Sequence, residues 1–319
     1  MSSIIQQRRI THLATLSLCA AFLMAPATAL FAEDPPAQVV VFGDSFSDPG
    51  NGFAFVKANS TPPDYGLSPL LIPSAPYARG GHHLSNGETW IEQLAGPLGA
   101  QRSVLPAFAS SNPFAMNFAI ATARARDNGS DPSLSFEVAA FLQKTGGNVP
   151  ADALYVIEVG NNDVADAVAS GNQAQALAIL QAAVAGIQAN IALLRSLGAQ
   201  HFLVWNVPNA GFTPAARISG TSAFATLATT TFNGLLLTAL SPLIAQGVVI
   251  PFDANALVTA IVANPQAFGL TNVVDACVTP DVPPFTCQTP DTFLFWDGLH
   301  PTAAAHALVA QAVAQLLGL

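Results

Sequence analysis

Charged residues are scarce in this sequence. Asp, Glu, Lys and Arg make up 9% of its 319 residues, only 10 of them are basic, and the formal net charge is −9. A chain with so few cations is poorly suited to a phosphate backbone, so we expect no nucleic-acid partner. Apolar residues reach 51%, and no segment has the composition of a disordered region.

The first 32 residues have the order of a secretory signal peptide. Arg8 and Arg9 precede an apolar run over 13–24, and small residues follow. We expect cleavage after about Ala29 or Ala32. A membrane anchor is the alternative that we do not favour, because the run is short and interrupted. No later run reaches 18 apolar residues, so we expect no transmembrane segment in the mature chain and a periplasmic or extracellular location.

Cysteine is rare as well, with three residues and no C-x-x-C pair or neighbouring histidine that would favour zinc. Cys19 leaves with the signal peptide, so Cys277 and Cys287 remain. An even number of cysteines in an oxidising compartment favours a disulfide between them. Two buried free thiols are the alternative. We expect neither a metal nor an organic cofactor.

Five short apolar runs, several of them rich in Val or Ile, are spaced along the rest of the chain. They cover 38–42, 115–120, 153–159, 201–206 and 248–252. Runs that are apolar at nearly every position are typical of parallel strands buried on both faces. Helical patterns lie between them, the clearest over 173–197, and a last helix is predicted over 302–317. The alternation predicts one α/β domain over 33–319, with a largely parallel sheet of about five strands.

Two long stretches do not fit this alternation. They cover 50–88 and 264–292, and both are predicted to be irregular. Loops of this length in a compact domain are usually functional. The first begins beyond the end of the first apolar run, where ligands collect in open parallel sheets.

Ser45 directly follows Gly43 and Asp44 at the end of that first run. A serine in such a turn is ordinarily a helix cap, and it becomes a nucleophile only if a base and a group that orients the base lie close to it. Among the histidines, His300 has Asp297 three residues earlier, in a turn that can join carboxylate to imidazole. The alternative is that Asp297 caps the last helix.

Acyl transfer also needs hydrogen-bond donors for the developing oxyanion. The segment GNND over 160–163 follows a predicted strand, and either Asn161 or Asn162 can supply an amide on chemical grounds. A third segment, NFAIATA over 117–123, can supply a backbone N–H.

Four segments in this order resemble the conserved blocks of the GDSL or SGNH hydrolase family. They are GDSFSD at 43–48, NFAIATA at 117–123, GNND at 160–163 and DGLHP at 297–301. The resemblance extends over about 37–318. It implies a flavodoxin-like three-layer α/β/α sandwich.

The resemblance also implies roles for individual residues. Ser45 matches the nucleophile, which also gives its backbone N–H to the oxyanion. His300 matches the base, Asp297 the residue that orients it, and Asn162 the oxyanion asparagine. Thr122 stands where close relatives have a glycine that contributes a backbone N–H, so the oxyanion hole is expected to be altered there.

The G-x-S-x-G elbow of α/β-hydrolases is absent, which disfavours that fold. We therefore expect a secreted serine esterase or lipase that works through an acyl-enzyme on a small-molecule or lipid ester. The apolar loop over 65–77 favours lipid-like or aryl esters. The alternatives are a carbohydrate acetylesterase and a secreted binding protein that has lost catalysis. Nothing in the sequence indicates the oligomeric state.

Overall fold

The computed structural model describes residues 36, 38–56, 83–278 and 287–319, with the backbone alone at 55 and 56. The strands are β1 Val39–Gly43, β2 Leu154–Glu158, β3 His201–Trp205, β4 Val249–Phe252, β5 Asn272–Ala276 and β6 Phe293–Phe295. The helices are α1 Asn51–Val56, α2 Trp90–Leu94, α3 Leu134–Thr145, α4 Asn161–Ala169, α5 Gln173–Ser196, α6 Pro214–Ile218, α7 Ser222–Ala245, α8 Ala254–Ala263 and α9 Ala303–Leu317. The expected signal peptide and the apolar loop over 65–77 lie outside the described residues.

The central sheet has four parallel strands in the order β1-β2-β3-β4. They coincide, within two residues at each end, with four of the predicted runs. All five residues of β1 and of β2 are buried, as both-face burial requires. The predicted α/β fold is confirmed.

The fifth predicted strand, over 115–120, is wrong as a regular strand. The segment runs beside β1 and shares three backbone hydrogen bonds with it, but the pairing amounts only to an isolated parallel bridge between Val41 and Asn117. The Gly43 N–H, which would continue the ladder, donates to the Glu137 carboxylate instead. A side chain therefore replaces part of the ladder. Counted as the second strand, the segment gives the order 2-1-3-4-5 of flavodoxin-like sheets.

Alternate side chains of the strands pack against helices on opposite faces of the sheet. On one face Val40, Phe42 and Tyr155 join a core with α3, α4, α5 and α7. On the other face Val41 and Val156 join a core with α2 and α9. This arrangement makes three layers, with helices on both faces of the sheet.

Helices α5 and α7 are each 24 residues long and apolar enough, by length and composition, to cross a bilayer. Each also contributes buried side chains to the core on the first face, among them Ile187 and Phe232. Core helices of a globular domain have the same composition. This packing indicates core helices.

The second predicted irregular stretch, 264–292, is only partly irregular. It contains β5, which pairs in parallel with β6 as a separate two-stranded sheet. The alternating pattern of β5 is weak because only Val273 in it is buried. Cys277, which follows β5, is paired with Cys287, with Cα atoms 5.4 Å apart, a separation that suits a disulfide.

Candidate active site

Ser45 lies in the turn that follows β1, at the carboxyl edge of the central sheet. The turn is tight: a Cβ on Gly43 would come 2.5 Å from the carbonyl oxygen of Glu158, so only glycine fits there. The Ser47 N–H donates to the Asp44 carbonyl at 3.1 Å and closes the turn. Ser45 is 9% exposed, so it is largely enclosed but reachable.

Asp297 and His300 lie in the turn between β6 and α9. One carboxylate oxygen of Asp297 accepts the backbone N–H groups of Leu299 and His300, at 2.7 and 2.6 Å. The Trp296 N–H donates to the His300 carbonyl at 2.7 Å. These bonds fix the turn, so the imidazole has a defined direction.

The three side chains form a continuous hydrogen-bonded chain. The other carboxylate oxygen of Asp297 lies 2.7 Å from Nδ1 of His300, and Nε2 of His300 lies 3.0 Å from Oγ of Ser45. Asp297 is fully buried and His300 is 2% exposed. An imidazole held between a buried carboxylate and a hydroxyl can take the hydroxyl proton. The structure therefore brings together residues 255 positions apart.

Asn161 and Asn162 are held at the start of α4 by Gly160. The φ of Gly160 is +132°, and a Cβ there would come 2.6 Å from the ring of Phe232. The Asn162 amide lines the same cavity as Ser45, but it donates to the carbonyls of Ala121 and Ala123, at 3.2 and 2.9 Å. The amide thus joins α4 to the segment that bears Thr122.

The two backbone donors expected for the oxyanion have no acceptor among the described residues. Neither the Ser45 N–H nor the Thr122 N–H donates a hydrogen bond there. The neighbouring Ala121 N–H, by contrast, is bound to the Asp48 carboxylate at 2.8 Å. An N–H group without an acceptor is available to an oxyanion. Ser45 lines the cavity, whereas Thr122 does not; its neighbour Ala121 does.

A buried polar network lies behind Ser45. The Asn161 amide donates to both carboxylate oxygens of Asp44 and to Glu158, at 3.0 to 3.2 Å. Ser47 donates to Glu158 at 2.8 Å and accepts from the indole N–H of Trp90 at 2.9 Å. Burial raises the pKa of Asp44 to about 7, against the opposing hydrogen bonds and the nearby His300. Burial also raises the pKa of Glu158, and the proximity of Asp44 adds to the shift.

Two more buried carboxylates hold the backbone beside this network. Asp48 accepts N–H groups from the start of α1 and from Ala121. Glu137 of α3 accepts the N–H groups of Gly43 and Ile120, at 2.9 and 3.1 Å. Burial raises the pKa of Glu137 well above its usual value, although these two N–H groups oppose the shift. The two carboxylates thereby connect the Ser45 turn to the Thr122 segment.

Asp163, the last residue of GNND, does not line the cavity and makes structural contacts instead. It accepts the Ala125 N–H at 2.7 Å and pairs with Arg126 at 2.6 Å. Arg126 and Arg124 also pair with Asp166, one turn further along α4. These ion pairs fix α4 against the loop that precedes α3.

Ser45 and His300 open into a largely apolar cavity of about 130 Å³. Its lining includes residues from the ends of β2 and β3, from α8, from β6 and from α9. His306 of α9 contributes a ring that is neutral, because burial lowers the pKa of that imidazole to about 3. Nδ1 of His306 accepts a hydrogen bond from the backbone N–H of Trp90 at 3.3 Å.

The buried acids and the cavity were not predicted from the sequence. Asp44 and Asp48 lie on either side of Ser45 in the first motif, so the sequence does show two acids close to it. Glu158 ends an otherwise apolar strand, and an acid at the carboxyl end of a buried strand is a usable signal for a site. Glu137 lies within an ordinary helical pattern, and nothing in the sequence distinguishes it.

Several known proteins are similar to this chain. The phosphatidylcholine-sterol acyltransferase of Aeromonas hydrophila is 28% identical over 297 residues, which are 89% of this chain and 80% of that protein. Esterase EstA of Pseudomonas aeruginosa is 28% identical over 90% of this chain, and the match covers 47% of EstA, so the chain spans about half of its length. The acetylxylan esterase Axe2 of Geobacillus stearothermophilus, a solved structure, has 12% identity and a TM-score of 0.48, with coverage of 88% of this chain and 94% of Axe2.

The model of the GDSL-like lipase and acylhydrolase family matches residues 39–313, which is most of the chain and includes all four motifs. The chain therefore belongs to the GDSL-like lipase and acylhydrolase family and is a carboxylic ester hydrolase.

Proposed function

We propose that the chain is a serine esterase or lipase in which Ser45 is the nucleophile, His300 the general base and Asp297 the residue that orients the base. One observation carries the proposal. It is the unbroken series of contacts from Asp297 through His300 to Ser45, at 2.7 and 3.0 Å. A serine hydroxyl needs such a base to attack an ester at neutral pH.

The reaction has two halves. Oγ of Ser45 bonds to the ester carbonyl carbon while its proton passes to Nε2 of His300, and Asp297 stabilises the imidazolium. The bond between that carbon and the alcohol oxygen then breaks, and His300 returns the proton to the leaving alcohol. Water next attacks the acyl-enzyme with His300 again as base, which releases the acid and restores Ser45.

The oxyanion receives hydrogen bonds from the backbone N–H groups of Ser45 and Thr122 and from the Asn162 amide. The two N–H groups have no acceptor among the residues described, which supports their role. Asn162 must release the carbonyl of Ala121 or Ala123 to donate to the oxyanion. The longer of its two bonds, 3.2 Å to Ala121, is the weaker one to give up.

We favour lipid-like or aryl esters over acetylated carbohydrates as substrates, because the cavity beside Ser45 is mostly apolar. A carbohydrate would need several polar groups to bind its hydroxyls. We also propose that residues 1–32 direct export, that 33–319 form the mature domain, and that Cys277 and Cys287 form its disulfide. The pairing of the two cysteines supports the last point.

The test is hydrolysis of p-nitrophenyl butyrate at pH 8 by the wild-type chain and by Ser45→Ala. We expect turnover that falls by about 10⁴-fold or more in the variant. Equal rates in the two proteins would overturn the proposal and favour a binding protein without catalysis.

Acyl transfer to an alcohol is a second candidate, favoured by the similarity to the Aeromonas acyltransferase. The acyl-enzyme would then pass its acyl group to an alcohol instead of water. Adding an alcohol acceptor and measuring new ester against free acid distinguishes the two. An unchanged yield of free acid would exclude transfer.

A further inference from the structure

The cavity beside Ser45 has two parts of different chemistry. Polar groups from Asn161, Asn162 and Asn209 lie where β2 and β3 end. The other part lies between α8 and α9. Its apolar lining consists of Ala254, Val258, Ile261, Leu294, Ala305 and Val309.

The apolar part adjoins a small hydrophobic cluster that is separate from the two main cores. Ile261, Leu294 and Ala305 belong to this cluster and are at most 3% exposed. Val258 packs against it, and Val309 packs against the core on the second sheet face, and both are only partly buried. The cavity therefore lies between two packed groups, and Val258 and Val309 face the space that remains.

The size of the cavity limits what it can hold. An engineered apolar cavity of about 150 Å³ binds benzene, which has six carbon atoms. The whole cavity here, polar part included, measures about 130 Å³, so the apolar part holds at most about six carbons. That is more than an acetyl group needs and much less than a full-length fatty acyl chain.

Helix α9 gives the direction of the cavity. It starts just after the turn that holds His300, and Val309 lies six residues beyond its first residue, Ala303. At 1.5 Å per residue that is about 9 Å along the helix axis. Val309 thus lies well away from the His300 turn, where the distal carbons of a bound chain would be.

We infer that the space between α8 and α9 binds the acyl chain of the ester, that it favours chains of about six carbons, and that Val258 and Val309 set this length. The inference rests on the proposed function, since the acyl carbon must be the one that Ser45 attacks. The continuity of the apolar lining with Ser45 and His300 supports the assignment. Each methylene buried in such a lining should raise kcat/KM about fourfold.

The test measures kcat/KM for p-nitrophenyl acetate, hexanoate and octanoate with the wild type, Val309→Phe and Val309→Ala. We expect the wild type to prefer hexanoate. Val309→Phe fills the cavity, so the ratio of hexanoate to acetate should fall about tenfold or more. Val309→Ala removes two methyl groups and lengthens the cavity by about as much, so the ratio of octanoate to hexanoate should rise.

Gln311→Phe is the matched control, because it adds the same ring to an exposed position on α9. Its ratios should equal those of the wild type. Val258→Phe repeats the test from α8, so misfolding of one variant does not decide the result. Circular dichroism checks that each variant is folded.

The outcomes separate this inference from the proposed function. If no ester is hydrolysed faster than by Ser45→Ala, the proposed function fails. If esters are hydrolysed but acetate is preferred, or if the ring substitutions leave the ratios unchanged, the inference alone is overturned. A shift in preference for the alcohol chain instead of the acyl chain, measured with a series of alkyl butyrates, also overturns it.

Discussion

The two sides of Ser45 are built from opposite kinds of residue. Behind it, Asp44, Glu158 and Asn161 form a buried network in which each polar group has a partner. In front of it, the cavity has mainly apolar walls. We propose that the network fixes the position of Ser45 and that the cavity binds the substrate by excluding water. Changes on one side should therefore affect stability, and changes on the other should affect specificity.

The largest effect is expected at the base. Asp297→Asn keeps the size of the side chain but no longer holds the imidazole in the tautomer that accepts the Ser45 proton. We expect kcat to fall about 10⁴-fold. Asp291→Asn, an exposed change on the preceding segment, should leave kcat as it is. A loss below tenfold in Asp297→Asn would show that His300 is oriented by another group.

The next effect tests the network itself. Asn161→Ala removes the amide that donates to two buried carboxylates. Each carboxylate then loses a hydrogen bond, and water cannot replace it because both groups are buried. The free energy of unfolding should fall by about 2 to 3 kcal/mol, measured by urea denaturation. Asn148→Ala, on an exposed loop, is the control. A change within about 0.5 kcal/mol would mean that the network does not stabilise the fold.

The network should also make stability depend on pH. Burial raises the pKa of Asp44 from 3.8 to about 7, so the folded state holds a proton that the unfolded chain releases between those values. Its contribution to stability is therefore present below about pH 4 and is lost as pH rises towards 7. We expect the thermal midpoint to fall by several degrees across this window.

Asp44→Asn separates this contribution from other titrating groups. The substituted amide keeps an oxygen that accepts from Asn161 but has no proton to release, so the decline with pH should be smaller. An equal decline in the wild type and Asp44→Asn would assign the effect elsewhere.

The smallest effect is expected outside both the network and the cavity, at the start of α9. Thr302 caps α9, and its hydroxyl accepts the Ala305 N–H at 3.1 Å and donates to the Phe293 carbonyl at 2.7 Å. Thr302→Ala should lower the free energy of unfolding by about 1 kcal/mol, whereas Thr302→Ser keeps the cap. Chemical denaturation measures both variants. Equal losses of unfolding free energy in Thr302→Ala and Thr302→Ser would show that the methyl group matters and the cap does not.

Sequence patterns predicted the elements whose apolar residues recur with a clear strand or helix pattern. Each strand of the central sheet is a nearly continuous apolar run. Helices α5 and α9 are long alanine-rich runs, which favour helix. The segment over 115–120 has the same apolar composition, yet it fails as a regular strand because the Gly43 N–H of β1 donates to the Glu137 carboxylate and not to this segment. Which backbone groups a distant side chain will bind cannot be read from local composition.

The site also has a part that the sequence predicted and a part that it did not. Ser45, Asp297 and His300 lie in turns with distinctive residues, and the motifs place them at one edge of the sheet. The cavity between α8 and α9 gives no such signal, because Val258 and Val309 resemble any core residues of a helix. Their importance depends on the space left between two packed clusters, which is a property of tertiary packing alone.

The central claim is that Ser45 forms a covalent acyl-enzyme with the help of His300. Mass spectrometry of the intact protein, quenched in acid during turnover of p-nitrophenyl hexanoate, tests it most directly. We predict a mass increase of one hexanoyl group, located on Ser45 by peptide fragmentation and absent from Ser45→Ala and His300→Ala. An acyl group on a different residue, or one that still forms in Ser45→Ala, would contradict the account.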